Sequence, residues 1–319
     1  MKTHGDNDWE SFPSYLDVLI PKTLDFFREH ELRATYFIVG QDAVLEKNAS
    51  VLKRITEAGH EVGNHSFRHE PWLHLYDEEK IEAEIGDTEA AIENVTGKRP
   101  VGFRGPGFSV SETVLRVLKR RGYRFDASTL PTFLGPLARA YYFVQSSNLT
   151  PEEKEQRKLL FGKARDGFRP VRSHLLQVGG DGELLEIPVT TFPFLKIPFH
   201  LSYVLYLSTF SPGIARLYFK SALTACCLFH VEPSLLLHPL DFLGGDEVDA
   251  LAFFPGMDME GEKKRNRIST YIRDYQNFFK VLPMGEYAKT ALSRGDLPLL
   301  QARFPTGRQE QTVTETKKA

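Results

Sequence analysis

The chain has 319 residues, of which 41% are hydrophobic and 26% are charged, a composition typical of globular proteins and not of disordered ones. Its 40 basic and 42 acidic residues nearly cancel, so the chain lacks the basic excess of a nucleic-acid-binding protein. Its two cysteines, Cys226 and Cys227, are adjacent, which excludes a disulfide framework and a zinc site built on thiolates. Scarce cysteine and a polar N-terminus without an apolar signal core predict a cytoplasmic protein.

Short apolar runs alternate with amphipathic segments along the first part of the chain. The predicted strands are 34–39, 60–64, 101–103 and 123–125, and the predicted helices are 14–30, 43–58, 77–96 and 111–121. Glycines follow three of these helices, as expected of C-terminal caps. Strands and helices that alternate at this spacing predict an α/β fold with a parallel sheet.

The second part of the chain continues the alternation after an interruption. Its predicted strands are 184–189, 235–237 and 279–282, and its predicted helices are 212–229, 260–278 and 284–293. Residues 129–183 break the rhythm and are predicted to form an insertion with a charged helical piece at 151–163. We expect one domain over residues 1–303 and a polar, disordered tail over 304–319.

The beginning of the chain does not fit a complete β/α barrel. The predicted helix 14–30 precedes the first predicted strand, whereas each helix of such a barrel follows a strand. The polar residues 1–9 make a poor strand. Two alternatives stay open: the architecture begins with a helix, or a first strand lies upstream of Met1.

Two histidines stand just after the predicted strand 60–64. Active sites of α/β enzymes lie where strands end, and His65 and His69 occupy such a position. Two imidazoles four residues apart can bind one metal ion if the loop coils into a turn. Taken alone, however, this spacing is more often that of two surface histidines.

Three further polar residues stand at the ends of predicted strands. Arg104 lies among glycines and a proline, where a fixed guanidinium can hold a carboxylate. Asp126 follows the apolar run before it, and His238 ends the run 235–237, where a partly desolvated imidazole suits a general acid or base. Each taken singly is more often a turn residue, a cap or a core histidine. Their succession at strand ends is not expected by chance.

At these positions the sequence resembles the polysaccharide deacetylases, carbohydrate esterase family 4, over about residues 15–131 and again near 184–244. The segments that carry the resemblance are 34–37, 58–69, 104–106, 126 and 237–238, and 59–69 is the most specific of them. The resemblance implies a distorted (β/α) barrel. It also implies a reaction in which a divalent metal ion, usually zinc, assists removal of an N- or O-acyl group from a sugar.

The resemblance implies a role for each matching residue. His65 and His69 look like the two metal-binding imidazoles of the family. Arg104 looks like the residue that orients the catalytic carboxylate. His238 looks like the general acid, and Asp126 looks like the partner that raises the pKa of that histidine by favouring its charged form.

The main departure from the family concerns its first strand, which ends in two aspartates, one acting as the base and the other as the third metal ligand. Here the candidates are Asp6 and Asp8, with Asp8 the predicted ligand, although no apolar strand leads into them. Three alternatives stay open. One of these two aspartates takes the role, the true strand and both aspartates lie upstream of Met1, or the protein is a natural variant without this site. Without the aspartates the chain is expected to be nearly inactive.

The sequence therefore predicts a metal-dependent hydrolase that removes an acyl group from an N-acylated sugar or a related amide. Metal-activated water would attack the acyl carbonyl while His238 gives a proton to the leaving amine. One alternative is a catalytically inactive sugar-binding relative. Another is a deacylase or deformylase of a lipid-linked sugar, because the apolar and aromatic run 192–206 could rest on a membrane surface. Burial in the core is the simpler explanation of that run. The sequence predicts no oligomeric state.

Overall fold

The computed structural model describes residues 9–11, 14–135, 164–251 and 256–302, and a seven-stranded sheet lies at its centre. The strands are β1 (Thr35–Ile38), β2 (Glu61–Asn64), β3 (Gly102–Phe103), β4 (Phe125–Asp126), β5 (His174–Gln177), β6 (Glu183–Glu186) and β7 (Leu299–Gln301). Their order across the sheet is β1-β2-β3-β4-β6-β5-β7. Neighbouring strands are parallel except for the antiparallel pair β5 and β6.

Helices cover the sheet and extend beyond it. They are α1 (Leu16–Glu29), α2 (Gly40–Val44), α3 (Glu46–Glu57), α4 (Glu78–Thr96), α5 (Glu112–Arg120), α6 (Leu201–Phe210), α7 (Pro212–Leu228), α8 (Pro239–Phe242), α9 (Gly261–Phe278) and α10 (Met284–Arg294). Short 3-10 turns follow β2 and β3. Among the helices of the described residues, none has the length and apolar character needed to cross a membrane.

Local capping explains where several helices begin and end. The Asp77 side chain accepts a hydrogen bond from Lys80 N at 2.9 Å and so satisfies an otherwise unpaired amide in the first turn of α4. Ser111 does the same for Val114 N in α5. Helix α4 ends at Gly97, which has a left-handed φ of 70° that glycine adopts without steric cost.

The largest apolar cluster joins both parts of the chain. Phe27 of α1 and Ile55 of α3 share it with Leu201, Phe219 and Ile268 of α6, α7 and α9. All five side chains are buried, and each such burial stabilises the fold by roughly 1.5–3 kcal/mol relative to exposure. The helices of the second part therefore pack against the first part through a common core.

The predicted α/β fold is confirmed, and the strands predicted in the first part appear as β1 to β4. The predicted helix 43–58 is two helices, because Leu45 between them is extended. Within the described residues the sheet is open, with β1 and β7 at its edges.

Two predicted strands are wrong, and four helices or strands were not predicted. Residues 235–237 and 279–282 form no strand. In the first segment, the carbonyl oxygen of Leu236 accepts a hydrogen bond from Leu201 N, which belongs to no strand. The second segment leads directly to Pro283, the N-cap residue of α10. Elements β5, α6, α8 and β7 were missed, and β5 lies inside the predicted insertion. The predicted helical piece 151–163 and the tail 304–319 lie outside the described residues.

Candidate active site

The polar residues predicted from the sequence lie at one edge of the sheet. His65 directly follows β2, Arg104 directly follows β3, and Asp126 ends β4. A fourth polar residue, Glu186, ends β6. Because these four strands are neighbours and run parallel, their carboxyl ends bring the side chains together.

The loop after β2 coils so that two imidazoles meet. Ser66 and His69 adopt left-handed backbone conformations, with φ of 59° and 57°, and the ring centroids of His65 and His69 lie 4.7 Å apart. His65 Nδ1 contacts the carbonyl oxygen of Arg104 at 2.5 Å, and since a carbonyl only accepts, Nδ1 carries the proton. Nε2 of His65 is then the nitrogen with a lone pair to offer a metal ion.

Electrostatics keep His65 in the form that binds metals. Burial, and then the neighbouring His69, lowers the pKa of His65 well below its ordinary value. The ring is therefore neutral near pH 7, as ligation requires.

A buried carboxylate holds this loop in place. Glu84 of α4 is 2% exposed, and its Oε2 accepts hydrogen bonds from the backbone amides of Phe67 and Arg68 at 2.9 Å each. Its Oε1 accepts from the Arg68 guanidinium at 3.0 Å. At the start of the loop, Asn64 Oδ1 accepts from Ser66 N at 2.9 Å. These bonds fix the backbone that carries both imidazoles.

Arg104 is a buried cation at the centre of the site. Its Nε donates to the carbonyl oxygen of Ala127 at 3.0 Å, and its guanidinium carbon lies 4.6 Å from the ring centroid of Phe37. Burial lowers the pKa of Arg104 to about 10, although Asp126 and Glu186 raise it. The guanidinium therefore stays charged at neutral pH.

Two carboxyl groups face this cation from neighbouring strands. Asp126 and Glu186 are paired in the register of β4 and β6, and both are fully buried. Ser128 Oγ donates to Asp126 Oδ1 at 2.5 Å, while Glu186 Oε1 accepts from the amide and hydroxyl of Thr129. Burial raises the pKa of both groups, and the charge of Asp126 raises that of Glu186 further. These raised pKa values favour a proton on the pair, taken up first by Glu186, which leaves one negative charge near Arg104.

The sequence analysis did not identify Glu186. The sequence did contain a signal, because Glu186 is the one charged residue in the otherwise apolar run 184–189. In the same way, His238 is a polar residue at the end of the apolar run 235–237.

His238 is held by a serine and a different aspartate. Its Nδ1 contacts Ser202 Oγ at 2.9 Å, and Ser202 Oγ donates to Asp241 Oδ1 at 2.7 Å. The backbone amide of His238 donates to Asp241 Oδ2 at 2.7 Å. The carboxylate that contacts His238 is therefore Asp241, whereas Asp126, the predicted partner, bonds to Ser128 and pairs with Glu186. The spacing of three residues between His238 and Asp241, a helix capping box, was the available signal.

A fourth histidine of the site was also missed. His200 is buried beside His238, with ring centroids 5.6 Å apart, and its Nδ1 has no hydrogen-bond partner among the described residues. Burial, and then the charges of His238 and Arg104, lower the pKa of His200 to about 3, so the ring is neutral. Burial lowers the pKa of His238, Asp241 opposes that shift, and the charge of Arg104 contributes to lowering the pKa of both His238 and His65.

The described residues fit part of a metal centre. His65 and His69 offer two adjacent imidazoles. Within the ranges that the structure describes, no group of three or more His, Cys, Asp or Glu side chains could hold a metal ion. The predicted third ligand, Asp8, and its alternative, Asp6, lie outside those ranges.

Comparison with known proteins finds similarity to the polysaccharide deacetylases in part of the chain. Residues 11–125 match the family model described as polysaccharide deacetylase. A peptidoglycan deacetylase of Helicobacter pylori is 27% identical over 177 residues, which cover 55% of this chain and 54% of that protein. A peptidoglycan-N-acetylglucosamine deacetylase of Bacillus cereus is 32% identical over 108 residues, covering 33% of this chain and 47% of that protein. The chain thus spans about half the length of these curated relatives.

A solved structure shares the fold over most of the chain. The crystal structure of a Mycobacterium smegmatis protein named as a polysaccharide deacetylase superposes with a TM-score of 0.58 at 18% identity. The superposition covers 92% of this chain and 82% of that one. The shared fold therefore extends over most of the chain, and residues 11–125 carry the sequence pattern of the polysaccharide deacetylase family.

Proposed function

We propose that the protein is a metal-dependent deacetylase that removes the acetyl group from an N-acetylated sugar. The observation that carries this proposal is the pair of adjacent imidazoles at the carboxyl edge of the sheet, with His65 oriented by the carbonyl of Arg104. The relatives are named as peptidoglycan deacetylases, and these names favour an N-acetylated amino sugar as the substrate.

The two imidazoles would hold a divalent ion, for which zinc is our proposal because nitrogen ligands suit it. Such an ion supplies an activated water and polarises the acyl carbonyl when it is bound. Arg104 supplies a fixed positive charge beside the site, and the charge of the Asp126–Glu186 pair favours the charged form of that guanidinium.

His238 is the proposed general acid. When Nδ1 is engaged with Ser202, the other ring nitrogen is the one that can hand a proton to a leaving amine. Asp241, bonded to the same serine, stabilises the imidazolium form before that transfer. The serine and aspartate also fix the orientation of the ring.

Acetate release from N-acetylglucosamine oligomers tests this proposal. We expect the chain to release acetate when zinc is added and to stop when a chelator removes it. His65→Ala should abolish the activity, and His238→Ala should lower kcat by roughly 10²–10⁴ while zinc still binds. His30→Gln is the matched control. His30 lies before the start of β1, whereas the candidate site lies at the carboxyl ends of the strands, and Gln can keep the hydrogen bond to Ser269.

The proposal would be refuted if the wild-type chain released no acetate in the presence of zinc. It would also be refuted if His65→Ala released acetate as fast as the wild type. Binding of the oligomers without acetate release would favour the second candidate, an inactive sugar-binding relative. The observation behind that candidate is that, within the described ranges, no third His, Cys, Asp or Glu side chain joins the two imidazoles in a group that could hold a metal ion.

A further inference from the structure

One stretch of the chain has an unusual charge pattern. Residues 187–231 contain no Asp or Glu, although acidic residues number 42 in the 319 of the chain. The charged residues of the stretch, apart from its histidines, are all basic: Lys196, Arg216 and Lys220. The nearest acids on either side are neutralised or buried, since Glu186 is fully buried and Glu232 is paired with Arg294.

The same stretch exposes large apolar side chains. More than half of each of the following side chains is exposed, and together they define the apolar face: Phe194, Tyr206, Phe210, Ile214, Leu217 and Leu228. Helices α6 and α7 bury their opposite sides in the core, so both helices are apolar on the outside as well as the inside. The α7 part of the face extends from Ile214 to Leu228, about 20 Å along the helix.

Basic side chains border the apolar face. Phe194 packs against Phe229 at the end of α7, with ring centroids 4.3 Å apart. Arg172 donates to the carbonyl oxygen of Phe229, and Lys196 lies two residues after Phe194. On α7 itself, Lys220 is exposed next to the apolar positions. An apolar surface with aromatic residues and a basic border matches the interface of an anionic bilayer, where apolar groups enter and cations meet phosphate.

The charge pattern argues against a second copy of the chain as the occupant. A twofold dimer through this face would bring the basic residues of both copies into one interface. With no acid in residues 187–231, the stretch itself supplies no opposite charge to compensate that repulsion.

We propose that the apolar face docks on the surface of an anionic lipid bilayer. The face begins beside the candidate site, because Ser202 at the start of α6 contacts His238 and the ring of the next residue, Tyr203, lies 4.4 Å from that of His200. Docking therefore brings the entrance of the site close to the lipid headgroups. The docking itself does not depend on the proposed function, since it needs no catalysis.

Flotation with vesicles tests the docking. We expect the full chain to float with vesicles of phosphatidylcholine and phosphatidylglycerol in equal amounts and to stay in the soluble fraction with phosphatidylcholine alone. Phe210→Ser combined with Leu217→Ser should abolish flotation, whereas Leu292→Ser, which changes an exposed leucine of α10, should not. Lys220→Glu should lower partitioning about tenfold, and Lys263→Glu on α9 should have no effect.

Two results would overturn the proposal. One is a wild-type chain that stays soluble with both vesicle types while circular dichroism shows it folded. The other is a dimer, seen by light scattering, that the Phe210→Ser and Leu217→Ser pair dissociates, because that result would assign the face to a second copy. Acetate release measured on the same samples without vesicles separates a failure of docking from a failure of the proposed function.

Discussion

Replacing Glu186 by glutamine tests the buried carboxyl pair. The pKa of Glu186 in the folded protein is well above its ordinary value because of burial and the charge of Asp126. The folded state therefore keeps a proton at pH values where the unfolded chain has released it. Stability is lost as pH rises from about 4.3, the ordinary Glu value, toward the raised pKa, by up to about 1.4 kcal/mol per pH unit.

Glutamine resembles the protonated carboxyl group and cannot ionise. In Glu186→Gln the amide oxygen can accept from Thr129, and the amide nitrogen can donate to Asp126. We expect the variant to match the wild type near pH 4 and to exceed it increasingly at higher pH, by more than about 1 kcal/mol near pH 7. Glu186→Ala should instead destabilise the fold by about 1–3 kcal/mol, since it leaves Thr129 unpaired.

Urea unfolding at a series of pH values measures this difference. Glu183→Gln is the matched control, because Glu183 begins the same strand but is exposed. Its stability should follow the wild type at every pH. The reasoning is refuted if Glu186→Gln keeps the pH dependence of the wild type or is less stable than it at every pH.

Two further predictions concern the histidine site and the loop that supports it. Asp241→Asn should lower kcat and move the alkaline limb of the kcat–pH profile to lower pH, because loss of the negative charge lowers the pKa of His238. A profile that does not move would contradict the role of Asp241. Gly40→Ala should destabilise the fold by about 1–3 kcal/mol in thermal unfolding, since its Cβ would lie 2.4 Å from the Phe67 ring. Gly213→Ala, which meets open space in α7, should cost nothing, and equal effects at both glycines would refute the steric explanation.

Local sequence patterns predicted the elements that depend on local interactions. Helix α4 has a capping aspartate, an amphipathic body and a terminal glycine, so its bounds could be predicted closely. Strands β2 to β4 are short segments that end at a polar residue or directly before one, and this pattern located His65, Arg104 and Asp126 at the same edge of the sheet.

The missed features depend on contacts between distant parts of the chain. Strand β5 is stabilised by pairing with β6 and with β7, which lies more than a hundred residues later, and its own sequence carries little strand signal. The pairing of Asp126 with Glu186 follows from the register of β4 and β6. Likewise, the contact of His238 with Ser202 needs α6, an element that the sequence analysis did not predict.

The central claim is that His65 and His69 together bind a divalent metal ion, and zinc titration of the purified chain tests it most directly. The account predicts one zinc ion bound per wild-type chain, at least about tenfold weaker binding in His69→Ala, and unchanged binding in His30→Gln. A wild-type chain that binds no zinc, or a His69→Ala chain that binds it as tightly as the wild type, would contradict the account.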